Sequence, residues 1–284
     1  MKKQPLVSIL IPMYNSSEFL EETLQCAVNQ TYKNIEIIVQ DDCSTDNSVE
    51  IAQKIGNIDS RVNVFSNSMN LGMCKNWNSL FEKAKGDYIL KLDADDLIKP
   101  DIISILIEKG IESNADIVSA AYEFLFKDSS HKQIPIHNNL NEGVVHNLLS
   151  TIIFNNPFHL VFSILRKEFI DSIKLNDKYF MQTEVGDAEF LIRSALNKAK
   201  LYFVPISLGY YRIHDNNSSN TPLKQTSSFY FDVLPLYHTT LKKHPHFNYT
   251  KKINIDTWVY IKQILKRTAP FNSKLLFQMI KLRF

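Results

Sequence analysis

Asp87-Tyr88-Ile89-Leu90-Lys91-Leu92-Asp93-Ala94-Asp95-Asp96 is the stretch on which the reading of this chain turns. A short apolar run of strand length ends in three carboxylates within four residues. Such charges repel one another unless a cation or solvent relieves them. Alternate residues leaving an extended chain can converge on one ion, so an Asp-x-Asp at a strand's end is the right size for a metal. Hard divalent cations such as Mn2+ and Mg2+ take one or two carboxylates and fill the remaining positions with water and phosphate oxygens. The stretch therefore predicts Mn2+ or Mg2+ at the carboxyl end of a buried strand.

Outward from it, strand and helix patterns alternate with short connections through the first 125 residues. Leu6–Ile11, Ile35–Gln40, Arg61–Phe65, Tyr88–Leu92 and Ile117–Phe124 read as strands. Helical patterns fall at roughly Ser17–Asn29, Asn47–Lys54, Met73–Lys85 and Pro100–Glu112. Asn15 followed by Glu18 predicts a capping box, and Pro100 suits a first helical turn. This alternation predicts an α/β, doubly wound and mostly parallel sheet, with ligand at the strands' carboxyl ends. Residues 127–142 are polar and read as a loop. A second region follows, with helix Val144–Phe154, strand Leu160–Leu165, helix Asp187–Asn197 and strand Leu201–Val204. From about Thr221 the apolar spacing is helical.

Composition bounds the class. A chain of 284 residues, 44% hydrophobic and 22% charged, has room for one large domain plus an appendage. Cys26, Cys43 and Cys74 are odd in number and lack C-x-x-C spacing, which disfavours a disulfide framework or zinc site. Met1–Gln4 lead straight into an apolar strand, and no run reaches membrane-spanning length, so a cytoplasmic protein is expected. The net charge of +2 conceals an asymmetry: from Leu241 to Phe284 ten Lys or Arg face one acid, Asp256. This basic stretch, with apolar residues such as Trp258, Ile264, Leu276 and Ile280 interspersed, predicts either contact with an anionic membrane surface or a helical cap or oligomer interface.

Two other strand ends carry chemistry. Ile11-Pro12-Met13-Tyr14-Asn15 has no glycine, which excludes a dinucleotide fingerprint and a P-loop. Tyr14 can instead flank a flat base. Asp41-Asp42-Cys43-Ser44-Thr45-Asp46 puts two carboxylates where a nucleotide would sit, fit to accept a uracil imide N–H or a ribose hydroxyl. Ser44–Asp46 are equally turn and cap formers.

Taken in order and spacing, Val7–Asn15, Asp41–Asp46, Gly86-Asp87-Tyr88 and Leu92–Asp96 resemble family-2 glycosyltransferases of the GT-A fold. The resemblance covers roughly the first 125 residues. It departs at Cys43, where the family has glycine or another small residue, a change expected to matter little. The resemblance implies an inverting transfer from a nucleotide-sugar donor, UDP by family habit, in the manner of bacterial surface-glycan assembly. It implies that Pro12, Tyr14, Asp41 and Asp42 hold base and ribose, that Asp93 supports the nucleotide sugar, and that Asp95 and Asp96 bind the metal. Lys75 and Asn76 lie where the family places donor contacts. Glu184-Val185-Gly186-Asp187-Ala188-Glu189 is similar to the acidic segment that supplies the family's general base, making Asp187 the candidate and Glu184 and Glu189 weaker alternatives. Tyr210-Tyr211-Arg212-Ile213-His214 looks like the segment whose arginine holds phosphates and whose histidine touches the metal or the diphosphate, here Arg212 and His214.

The expected organisation is a catalytic domain over residues 1–220, divided into a nucleotide-sugar half (1–125) and an acceptor half (126–220), then a basic helical region over 221–284. The expected acceptor is a glycan or lipid-linked hydroxyl, with peripheral placement on the inner membrane face and a homo-oligomer as further expectations. The competing class is a non-catalytic nucleotide-sugar or glycan-binding module. No nucleic-acid recognition motif accompanies the basic tail, so no nucleic-acid partner is expected.

Overall fold

The computed structural model describes residues 4–133, 137, 140–181, 183, 185–215 and 217. The expected helical region at 221–284 lies outside the described residues.

The first half runs β1 (Val7–Met13), α1 (Leu20–Val28), β2 (Ile35–Asp41), α2 (Ser48–Gly56), β3 (Val62–Ser66), α3 (Met73–Lys83) and β4 (Tyr88–Lys91). The second half runs β5 (Leu97–Ile98), α4 (Ile102–Ser113), β6 (Ile117–Leu125), β7 (His131–Gln133), β8 (Gly143–Val144), α5 (Leu148–Asn155), β9 (Ser163–Arg166), α6 (Lys167–Ser172), α7 (Gly186–Leu196) and β10 (Leu201–Arg212). In β1 and β2 six of seven residues are buried, as expected of strands covered on both faces. α1 buries Leu20, Thr23, Leu24 and Ala27, a helical stripe against the sheet.

The sheet order is β3-β2-β1-β4-β9-β6-β10-β5, with β7 on β6 and β8 on β10. β3, β2, β1 and β4 are mutually parallel. The short β9 then inserts antiparallel to both β4 and β6, after which β6 and β10 run parallel. The result is the mixed, doubly wound α/β sheet that the alternation predicts. Because the chain winds from β1 to β2 on one side and returns through β4 on the other, the switch point opens at the carboxyl ends of β1 and β4.

The strands of the first half agree with expectation to within two residues at each end. Several local expectations fail for physical reasons. The capping box does not form: α1 begins at Leu20 with Phe19 before it and no side-chain cap. Asn15 instead takes a left-handed φ of 48°, and its Oδ1 accepts the Thr45 N–H at 2.9 Å. Pro100 precedes α4 and uses its carbonyl to accept the Thr31 N–H. The polar run 127–142 contains β7, held by pairing to β6. Val144 belongs to β8 and not to α5. Leu160–Phe162 form a 3₁₀ turn ahead of β9. β10 runs on to Arg212, past the expected end at Val204, through two register shifts against β6. Gly209 permits that extension: a Cβ there would meet Phe162 Cε1 at 2.5 Å and the Leu97 carbonyl at 2.7 Å.

Candidate active site

A cavity of about 600 Å³ opens at the switch point. One wall is the end of β1, with Pro12 and the half-exposed Tyr14. The loop that follows is pinned by the β2–α2 connection and the first residue of α2: Ser16 N–H donates to Ser48 Oγ at 2.7 Å and Ser17 N–H to Asp46 Oδ2 at 3.0 Å. Burial alone would raise the Asp46 pKa, but donors from Ser48 and Ser17 outweigh it and draw it down to about 2.

The two carboxylates at the end of β2 part company. Asp41 is buried and turned back onto its own loop, accepting Ser44 N–H and Ser44 Oγ (2.5 Å). Asp42 is also buried but lines the cavity. Its oxygens accept Asn67 Nδ2 and Leu71 N–H at 2.8 Å and Gly72 N–H at 2.9 Å, which fixes the turn before α3. Gly72 sits at φ 83°, a conformation glycine adopts without a Cβ penalty. Cys43 has φ 64° with a side chain present. The left-handed conformation costs a residue with a Cβ about 1–2 kcal/mol relative to glycine.

Asn76, on α3, lines the cavity and is held by Asn67 and by the Gln40 carbonyl. Lys75 is exposed and does not line the cavity.

The acidic turn after β4 is tied down from two directions. Thr23 Oγ1 reaches the carbonyls of Ala94 and Asp96 at 3.0 Å. Arg212, at the end of β10, donates its backbone N–H to Asp96 Oδ1 (2.9 Å) and its Nε–H to the Asp95 carbonyl (2.8 Å). Its Nη2 pairs with Glu22 at 2.6 Å, and its guanidinium lies over Phe19. Arg212 does not line the cavity; it braces the turn from behind. Asp96 is likewise behind the wall, 1% exposed, with Oδ2 lacking a hydrogen-bond partner. Burial, then the charges of Asp95 and Asp93, push its pKa well above the usual carboxylate range.

Asp93 and Asp95 do face the cavity. Asp95 Oδ2 lies 2.9 Å from His214 Nε2, and both side chains are partly exposed. Among the described residues no group of three His, Cys, Asp or Glu side chains has metal-binding geometry. The Asp95–His214 pair, an oxygen and an imidazole nitrogen meeting at the cavity wall, fits as part of the shell of a hard or borderline divalent ion that keeps several positions for water and phosphate.

Asp187 stands in the first turn of α7, where the helix dipole favours an anion. One of its oxygens, Oδ1, is buried without a partner. Glu189 is fully buried in an ion pair with Arg193 at 2.8 Å, a bond that ties α7 to itself. Glu184 lies outside the described residues.

The sequence profile of Glycosyl transferase family 2 matches residues 8–173, more than half of the chain. The chain belongs to glycosyltransferase family 2. As a member of that family it transfers a sugar from a nucleotide-sugar donor to an acceptor. The glycosyltransferase GlyG of Streptococcus pneumoniae serotype 4 is 30% identical over 220 residues, 73% of this chain and 70% of that protein. Among solved structures, S. aureus TarS 1–349 in complex with UDP-GlcNAc superposes with a TM-score of 0.71 at 19% identity, covering 97% of this chain and 78% of that one. The mannosyltransferase PcManGT of Pyrobaculum calidifontis, in complex with GDP-Man and Mn2+, gives 0.62 at 15%, covering 80% and 63%. These two likenesses show the fold.

Several residues of this family-2 glycosyltransferase escape a reading of the sequence. Asn67 joins Asp42 to Asn76, and Asn78 joins α3 to Tyr179 and Phe180. No local pattern marks either. Lys91 does carry a signal, a lysine inside an otherwise apolar strand that runs into carboxylates.

Proposed function

We propose that this family-2 glycosyltransferase is an inverting enzyme that uses a UDP-sugar, with Asp187 as general base. The observation that carries the reading is a carboxylate-walled cavity at the ends of parallel β1 and β4, bordered by Trp77, against which α7 begins. In this account Pro12, Tyr14, Asp42 and Asn76 receive base and ribose, and Asp93 supports the sugar. Lys75, exposed and next in sequence to cavity-lining Asn76, is assigned to the diphosphate. Asp41 and Arg212 act one layer back, through the Ser44 turn and the acidic turn respectively.

Asp95 and His214, backed by Asp96, are the residues that would hold Mn2+ or Mg2+, and PcManGT, in complex with GDP-Man and Mn2+, supports a metal in this fold. When bound, such an ion supplies charge stabilisation to the leaving diphosphate. Asp187 takes the proton of the acceptor hydroxyl as that oxygen attacks the anomeric carbon and the diphosphate departs from the opposite face. The rigid sheet ends hold donor and acceptor in line, which removes part of the entropic barrier. No covalent glycosyl intermediate is needed.

We place the acceptor on a bacterial surface glycan or a lipid-linked precursor and the enzyme on the cytoplasmic face. None of the helices among the described residues is long and apolar enough to cross a membrane. The basic residues between 241 and 284 supply the charge for an anionic surface. The domain boundary proposed for this arrangement is residue 220. The test is Asp187→Asn: turnover should fall by a factor of about 10² or more while UDP affinity stays within threefold. Turnover within tenfold of wild type would remove Asp187 from the base role.

A further inference from the structure

Lys91 closes β4, and its side chain is 0% exposed. It does not line the cavity, so it cannot touch a donor there. An ammonium withdrawn from water is costly unless partnered, and here the partners belong to two parts of the molecule. On the donor side Nζ meets Asp93 Oδ1 at 2.5 Å. The same ammonium lies 4.0 Å from the centroid of the Trp77 ring, a favourable cation–π placement, and Trp77 lines the cavity.

The acceptor side reaches the same indole. Gly186, the first residue of α7, packs so closely that a Cβ would stand 3.2 Å from the Trp77 ring and 3.0 Å from Cys74 Sγ. Asp187 follows directly, with Oδ1 buried and unpartnered. Burial opposes the charge on Lys91, but the fields of Asp93, Asp187 and Asp96 outweigh it and hold its pKa above the usual lysine value. Two other groups that feel Asp187 are held neutral: burial pushes the Cys74 thiol up to about 11 and the His159 imidazole down. Glu189, on the next turn of α7, is paired with Arg193.

We propose that Lys91 is a positioning residue whose single buried ammonium fixes Asp93 on the donor side and compensates the charge of Asp187 on the acceptor side. It thereby links the cavity wall to the start of α7, with Lys91 and Gly186 both packed on the Trp77 ring. The functional meaning rests on Asp187 being the base; the electrostatic link itself does not.

The experiment is a 13C-carboxyl NMR titration of metal-free protein in EDTA, with Asp187 assigned by Asp187→Asn. The Asp187 midpoint should rise by about one unit or more in Lys91→Met and Lys91→Gln, and stay within about half a unit in Lys91→Arg. Gln keeps hydrogen-bond donation to Asp93 without the charge, so it separates charge from packing. A midpoint unmoved, within about 0.3 unit, in a folded Met or Gln variant overturns the proposal. If neither variant folds, the Lys91 15Nζ resonance of the unsubstituted enzyme decides: it should show an inflection as Asp187 titrates that is lost in Asp187→Asn. An inflection unchanged by Asp187→Asn overturns the proposal equally. No donor is present in these measurements, so their failure is distinct from that of the general-base reading, which the turnover of Asp187→Asn decides.

Discussion

Asn78 offers the clearest quantitative handle on how residues 179 and 180 are held to α3. It is a buried residue of α3 whose side chain makes four hydrogen bonds. Oδ1 accepts Tyr179 N–H at 2.8 Å and Phe180 N–H at 2.9 Å, while Nδ2 donates to the carbonyls of Cys74 and Phe180 at 2.8 Å. Tyr179 and Phe180 are themselves buried, packed on Phe81 and Trp77. In Asn78→Ala two N–H groups and one carbonyl of that segment lose their partners. The Cys74 carbonyl lies within the helical ladder and loses less. Each stranded buried group costs roughly 1–3 kcal/mol, so a loss of about 4 kcal/mol is expected, allowing for some water entry. For a domain of this size that lowers Tm by about 8–16 °C. Asn78→Asp keeps both accepted bonds but sets an anion against two carbonyls. It should cost about 2–3 kcal/mol at neutral pH and recover in part below the carboxylate range, where the acid regains one donor. Urea unfolding with an unchanged m-value is the assay. A loss below about 1 kcal/mol for Asn78→Ala would mean that water already reaches residues 179 and 180, and that Asn78 does not seal the junction.

Further outcomes follow from the acidic turn and from β10. Asp96 has a folded pKa raised well above its unfolded value, so the stability it contributes is complete below about pH 4 and is lost as pH climbs towards the folded value. In EDTA, Asp96→Asn should therefore match wild type near pH 4 and exceed it increasingly at higher pH; a gap flat with pH refutes the assignment. Gly209→Ala drives a methyl into Phe162 and the Leu97 carbonyl, so it should destabilise by about 1–3 kcal/mol or more and reduce turnover by displacing Arg212. Wild-type stability and turnover in that variant would show that β10 can shift freely.

The first half of the fold is legible because β1, β2 and β4 are almost wholly buried and its helices are amphipathic, so local pattern and tertiary demand coincide. The end of β10 is not. Pro205, Ser207 and Gly209 interrupt the pattern, and the strand persists only because β6 and β5 pair with it. That hidden extension carries Arg212 and His214 to the acidic turn from more than a hundred residues away. The motif at Asp93–Asp96 announces a charged site but not how its carboxylates divide. Only the packing of Thr23 and Arg212 behind the turn separates buried Asp96 from cavity-facing Asp95. Likewise Asp41 and Asp42 look equivalent in sequence, and the Ser44 turn decides which one faces the cavity.

Calorimetric titration of UDP, and of GDP, with and without Mn2+, on wild type and on Asp95→Ala, decides whether the acidic turn holds a metal-bound donor. Metal-dependent binding of UDP that disappears in Asp95→Ala is expected. Binding of neither nucleotide under any condition, or binding undiminished by Asp95→Ala, would contradict it.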